Sequence, residues 1–261
     1  MSGGRLGGRH AVVTGGGTGI GKAIAQVLAA EGAKLTLIGR RLDPLEETAL
    51  LLHSSGAKDV FVRAADVTQR DQVEAAFAAA RDALGPITIL VNNAGAVESA
   101  PFAKVDEALW RRTMAVNLDA LLHCCQAALS DLLAAEAGRI VTIASTAGLK
   151  AYAYSAPYVA AKHGAVGLTR ALGLELARTN VTVNAICPGF TDTDIIAEAT
   201  RKLGEKTGRD AEAARAALVR FNPQGRLVAP KEVADTLLFL CLPESRSITG
   251  QAIPVAGGEI G

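Results

Sequence analysis

The chain is predicted to fold as an α/β protein: a doubly wound parallel sheet of seven strands, in a single domain spanning residues 1–261. Three observations predict it. Short β-rich runs alternate with longer helical ones, the rhythm of repeated strand–helix–strand units. Several of the runs are apolar at nearly every position, as strands covered by helices on both faces must be. Every connection is short, and no Pro/Ser-rich linker divides the chain.

The elements follow in order. Apolar and β-branched runs place strands at His10–Thr14, Lys34–Gly39, Asp59–Arg63, Thr88–Asn92, Arg139–Ala144, Val181–Ile186 and Ala252–Val255. Helices are expected near Ile20–Glu31, Pro44–Ser54, Gln69–Leu84, Asp106–Ala137, Ala156–Arg178 and Lys231–Leu240. Asp106–Ala137 lacks Gly and Pro and reads as one unusually long Ala/Leu helix, with Asn117 and His123 inside it. Residues 191–226 break the rhythm: they are charged and Ala-rich, interrupted at Gly204, Gly208 and Pro223, where a helical lid can be inserted.

Bulk properties exclude several function classes. A net charge of +1 leaves no electrostatic footprint for nucleic acid or an anionic membrane. No apolar run of about 18 residues is present to span a bilayer, and Met1–His10 carries no signal-peptide core. Cys124, Cys125, Cys187 and Cys241 lack C-x-x-C spacing. They read as buried reduced thiols rather than metal ligands, which fits a reducing cytoplasm and no bound metal.

The first strand runs into Thr14-Gly15-Gly16-Gly17-Thr18-Gly19-Ile20-Gly21 and then a helix. Glycine permits the tight turn, and the helix N-terminus offers backbone N–H groups and a positive dipole end to a pyrophosphate. Gly15, Gly17, Thr18, Gly19 and Ile20 are therefore candidate contacts to a dinucleotide; a Gly-rich turn without a ligand is the plainer reading. After the second strand come Arg40 and Arg41, where NAD-binding folds place an acidic residue for the ribose hydroxyls. Two guanidinium groups suit a 2′-phosphate and favour NADP(H) over NAD(H). A solvated arginine pair is the alternative, though the missing carboxylate counts against NAD separately.

Tyr158 and Lys162 are four apart in an expected helix and share one face. A nearby ammonium favours the phenolate and brings a phenol within range of proton transfer, although Y-x-x-x-K alone is a weak signal. Ser145 follows an apolar strand at the edge where open α/β sheets bind ligands, with a hydroxyl to offer a carbonyl oxygen. Asn92-Asn93-Ala94-Gly95 follows another strand, and Asn117 is an amide in an apolar helix that needs partners.

Together these residues resemble the single-domain short-chain dehydrogenases/reductases, over essentially the whole chain. The matching motifs run in order: Thr14–Gly21, Asp66-Val67, Asn92–Gly95, Asn117, Ser145, Tyr158-x-x-x-Lys162 and Pro188-Gly189. The resemblance implies a Rossmann-like fold and hydride transfer between a nicotinamide and a small-molecule ketone or secondary alcohol. It makes Tyr158 the general acid/base and Ser145 the group that polarises the carbonyl. Lys162 would bind the nicotinamide ribose and lower the Tyr158 pKa, and Asn117 would hold a water linking Lys162 to solvent. Asp66 would contact the adenine, and Asn92 would support the sheet centre beside the cofactor; Val67, Asn93, Ala94 and Gly95 would also bind the cofactor, and Pro188, Gly189 and Thr191 would line its nicotinamide side. Thr18 stands where many NADP-using relatives carry a basic residue, so the phosphate rests on Arg40 and Arg41.

Substrate contacts are expected from Val97, Ala147, Tyr152, Tyr154 and Phe190 and from the lid at 191–226; the alternative for the three aromatics is packing on the lid or on a neighbouring subunit. The overall flavour resembles reductases of 3-oxoacyl thioesters, keto esters and polyketide or aryl ketones. Lys202, Lys206, Arg209, Arg215 and Arg220 could attract an anionic CoA or carrier-protein phosphate, but Glu198, Glu205, Asp210 and Glu212 offset them. The long helix and Ala156–Arg178 suit a subunit interface, and the family resemblance implies a homotetramer. An NAD-dependent secondary-alcohol or 3-hydroxyacyl-CoA dehydrogenase is the alternative enzyme. A non-catalytic dinucleotide-binding regulator would not need Ser145, Tyr158 and Lys162, and a nucleotide-sugar epimerase would resemble a longer chain.

Overall fold

The computed structural model describes residues 4–193, 196 and 211–260. Seven parallel strands form one sheet in the order β3–β2–β1–β4–β5–β6–β7. They are β1 His10–Thr14, β2 Lys34–Gly39, β3 Val60–Ala64, β4 Ile89–Asn92, β5 Gly138–Ile143, β6 Val181–Pro188 and β7 Ala252–Val255. β1 pairs with β2 from His10↔Lys34 to Thr14↔Ile38, and with β4 through Ala11↔Ile89 and Val13↔Val91. The winding direction reverses between β1 and β4, which opens a crevice beyond their carboxyl ends.

Helices cover both faces. α1 (Gly19–Ala30), α2 (Leu42–Ser54) and α8 (Pro230–Cys241) lie on one side; α3 (Arg70–Leu84), α5 (Ala120–Ala134) and α6 (Ala156–Glu175) lie on the other. Successive residues of β1 divide between the two cores. Ala11 and Val13 cluster with Ile24, Leu28 and Leu237, while Val12 clusters with Phe77, Ala80 and Ala128. That two-sided burial is why the strands are apolar throughout. α3 buries Val73, Ala76, Phe77 and Ala80, one helical stripe against the sheet.

The expected strands are all present; β3 and β5 are each shifted by one residue, β4 begins one residue later, and β6 runs two residues further. The expected long helix is not continuous. α4 (Glu107–Met114), N-capped by the Asp106 carboxylate accepting from Leu109 N at 2.7 Å, gives way to a π turn at Ala115–Asp119 before α5 begins. Asn117 Nδ2 donates to the Thr113 carbonyl at 3.0 Å, so a side chain competes for an acceptor of the helical ladder. Such insertions produce π bulges, often at functional sites.

The four cysteines are buried and free. Among the described residues no helix is long and apolar enough to cross a membrane. From the late insert, α7 (Ala211–Val219) is described, and Arg215 makes a double hydrogen bond to Asp192 at 3.1 Å. Glu198, Lys202, Glu205, Lys206, Arg209 and Asp210 lie outside the described residues.

Candidate active site

The glycine loop sits at the crevice. Gly15 and Gly19 adopt positive φ (65° and 52°), and Gly21, in the first turn of α1, packs against the loop: a Cβ there would lie 2.0 Å from Gly15 O. Asn93 Nδ2 donates to the carbonyls of Thr14 (3.0 Å) and Gly15 (3.1 Å). Thr14 Oγ1 accepts from the amides of Asn93 and Ala94 at 3.0 and 3.1 Å. The loop after β4 is thereby stitched to the loop after β1. Thr18 is exposed at the N-cap of α1 with no side-chain cap, and the first turn holds no acidic residue. The free amides and dipole end fit a pyrophosphate. Thr193, which sequence motifs did not single out, packs on Gly19: a Cβ there would sit 3.2 Å from its methyl carbon.

Beyond β2 and β3 a cleft is lined by Arg40, Ala64, Ala65, Asp66 and Gln72. Asp66 Oδ1 accepts from Thr68 N (2.9 Å) and Thr68 Oγ1 (2.8 Å), which shapes the floor. Buried Val67 accepts from His123 Nδ1 at 3.1 Å, a contact across the sheet face that spacing could not reveal. Arg40 lines the cleft; Arg41 is exposed at the N-cap of α2 and outside the lining.

Across the crevice, the 3-10 turn Thr146–Gly148 brings Ser145 to α6. Gly148 makes the approach possible, since a Cβ there would lie 2.7 Å from Lys162 O. The Ser145 hydroxyl accepts from Ala147 N at 3.1 Å and lies near enough to the Tyr158 phenol to act on its ionisation. Lys162 is buried on the same helix, with Nζ 5.6 Å from the Tyr158 ring centroid and donating to Ile143 O at 3.0 Å. Asn117 is buried too, with Nδ2 donating to Ala96 O at 2.9 Å. A Cβ on Gly95 would meet Asn117 Oδ1 at 3.0 Å and Lys162 Nζ at 3.7 Å, so the three groups share one small space.

The electrostatics differ from the sequence-based expectation. Burial pushes the Tyr158 phenol up from its ordinary value, and the Ser145 hydrogen bond only partly opposes it. Burial also lowers the Lys162 ammonium to about 8. Desolvation outweighs the expected downward pull of Lys162 on the phenol.

On the substrate side, Val97 is exposed, and Ala147 is buried behind Ser145. Tyr154 is 66% exposed with φ of 63°, unusual for a non-glycine residue. Tyr152, Phe190 and Phe221 form an aromatic cluster, with the Phe190 and Phe221 centroids 5.1 Å apart. Pro188 and Thr191 are buried, and Thr191 Oγ1 donates to Gly189 O at 3.0 Å.

A tyrosine and a serine beside a buried lysine, with a glycine loop at the switch point of a parallel sheet, define a Rossmann-type oxidoreductase. Comparisons with known proteins agree. The family model for short chain dehydrogenases matches residues 9–204. A putative ketoacyl reductase of Streptomyces coelicolor is 38% identical over 250 residues, 95% of each chain. A D-beta-hydroxybutyrate dehydrogenase of Cupriavidus necator is 35% identical over 98% of this chain and 99% of its own length. Among solved structures, a variant actinorhodin polyketide ketoreductase with NADPH superposes with a TM-score of 0.92 at 37% identity, covering 96% of this chain and 97% of its own. The chain belongs to the short-chain dehydrogenase/reductase family.

Proposed function

We propose that the protein is an NADP(H)-preferring reductase of ketones, of the 3-oxoacyl thioester, keto ester or aryl ketone class, working in a single catalytic domain. The observation that carries this reading is buried Lys162 with its Nζ 5.6 Å from the Tyr158 ring, beside Ser145 just after β5. The comparisons support the substrate class: relatives are named for ketoacyl reduction, among them 3-oxoacyl-[acyl-carrier-protein] reductases of Vibrio cholerae (35% identical) and Mycobacterium bovis (35% identical).

The bound cofactor would supply a hydride to the carbonyl carbon. Glycine-loop amides would take its pyrophosphate, the Arg40–Asp66 cleft its adenosine end, and Lys162 with the Asn93–Gly95 and Pro188–Thr191 loops its nicotinamide half. Ser145 Oγ donates to the carbonyl oxygen and orients it. Tyr158 gives its proton to the same oxygen as negative charge develops there. A phenol held up by burial stays protonated at neutral pH, which suits donation and hence reduction. Asn117 keeps the π turn and the loop after β4 in place beside Lys162, its Nδ2 donating to Ala96 O at 2.9 Å and its Oδ1 accepting from Ala96 N at 3.4 Å.

The ammonium is the group that titrates first. kcat/KM for ketone reduction should therefore fall as pH rises through about 8. A profile that stays flat to about pH 10, the ordinary phenol range, would remove the Lys162 charge from the mechanism.

Arg40 supports the NADP preference. Arg40→Asp should weaken NADPH binding by about 10- to 100-fold, one to two charge-assisted hydrogen bonds, and leave NADH no weaker. Fluorescence titration of both nucleotides reads this; equal loss of the two would overturn the phosphate assignment. Exposed Trp110, Leu122, Leu133 and Leu174 on α4, α5 and α6 support assembly, which we take to be a homotetramer. The buried free thiols suit a reducing cytoplasm.

A further inference from the structure

A buried carboxylate lies beside the substrate-side loop, and no step above uses it. Glu259, on the tail after β7, has a side chain only 1% exposed, with Lys150 Nζ 3.0 Å from its Oε1. The Tyr152 hydroxyl donates to that same oxygen. Oε2 has no hydrogen-bond partner among the described residues and is turned toward Gly189, where a Cβ would come within 2.8 Å of it. An interior carboxylate costs desolvation that a pairing of this kind offsets poorly, so stability alone is a weak reason for it.

What the cluster holds is an aromatic wall. The Tyr152 hydroxyl also bonds Thr146 Oγ1 at 2.6 Å, and Thr146 is the residue after Ser145. The Tyr152 ring meets Phe190 edge-on, with centroids 6.0 Å apart at 88°, and Phe221 at 5.8 Å. Lys150 Nζ stands 5.1 Å from the Tyr152 centroid and 5.9 Å from that of Phe221. Phe190 follows Pro188-Gly189, and Phe221 follows α7, so the cluster joins the tail, the Ser145 turn and the end of the insert.

We propose that Glu259 is a positioning residue: by anchoring the Tyr152 hydroxyl and the Lys150 ammonium it fixes the Tyr152–Phe190–Phe221 wall against which a bulky apolar ketone is held. This rests on the ketone-reductase reading of the site. The C-terminal tail then sets substrate affinity without touching the reacting atoms.

The test compares Glu259→Gln, Tyr152→Phe and their double variant, using NADPH with acetophenone and ethyl acetoacetate. Each single variant should raise KM for acetophenone by about tenfold while kcat and the NADPH Kd stay within about twofold. The double should be no worse than the weaker single, because both sever one linkage. Hydrogen exchange without ligand should quicken in residues 211–221 and stay unchanged in β1 and β4. Additive KM effects, unchanged KM and exchange, or a parallel loss of kcat and NADPH binding would each overturn the proposal. If Glu259→Gln does not fold, Lys150→Met is read the same way. A wild type that reduces no ketone overturns the function reading instead, and the exchange result alone then decides the role of Glu259.

Discussion

Tyr158→Phe should lower kcat for ketone reduction by about 10²–10⁴-fold, the range that a positioned general acid contributes. The ring stays, so packing in α6 and beneath the crevice is kept, and only the hydroxyl beside Ser145 is lost. NADPH Kd should move by less than about twofold, since the loss falls on the transition state rather than on uniform binding. Stopped-flow single turnovers separate the chemical step from product release. A kcat within about tenfold of wild type would show that another group or solvent supplies the proton, and the Ser145–Tyr158 pair would lose its assigned role. Ser145→Ala keeps the phenol but removes the donor to the carbonyl, so its loss should also fall mainly on kcat.

Gly21→Ala should abolish measurable NADPH binding. The new methyl would be placed 2.0 Å from Gly15 O and 2.6 Å from Asn93 Nδ2. Neither neighbour is the free end of a flexible chain: one is backbone, and the other is an amide already committed to Thr14 O and Gly15 O. The turn must open, and with it the stitching between the loops after β1 and β4. A loss of about 100-fold or more in NADPH affinity, with a lowered Tm, is expected from a strained site of this kind. Gly167→Ala is the control, because a Cβ there meets nothing within 4 Å on the outer side of α6. It should leave binding unchanged and stabilise the helix by roughly 0.5–1 kcal/mol. If Gly21→Ala binds NADPH as wild type does, the loop is not the pyrophosphate cradle.

Much of this was legible in the residues themselves. Apolar runs such as Ala11-Val12-Val13 report burial on both faces, because each side chain of a strand must go to one face or the other. Tyr158 and Lys162, four apart, share a helix face by geometry alone. Gly15 and Gly19 announce a turn in the left-handed region that favours glycine, and Gly21 a close approach with no room for a side chain. The absence of Gly and Pro, by contrast, misled at Asp106–Ala137: composition measures helix propensity and not the competition of one amide, Asn117, for a carbonyl.

Local spacing thus determined the fold class, the element order and the roster of chemical groups, because strand and helix periods act over a few residues. Only the folded chain decided which groups meet: Ser145 with Tyr158, Asn93 with Thr14 at 79 residues' separation, and Glu259 with Tyr152 at 107. It also decided the sign of the Tyr158 shift, since desolvation depends on everything packed around a group and not on the residue four positions away. Contacts across that distance follow from topology and packing, which no short window of sequence contains.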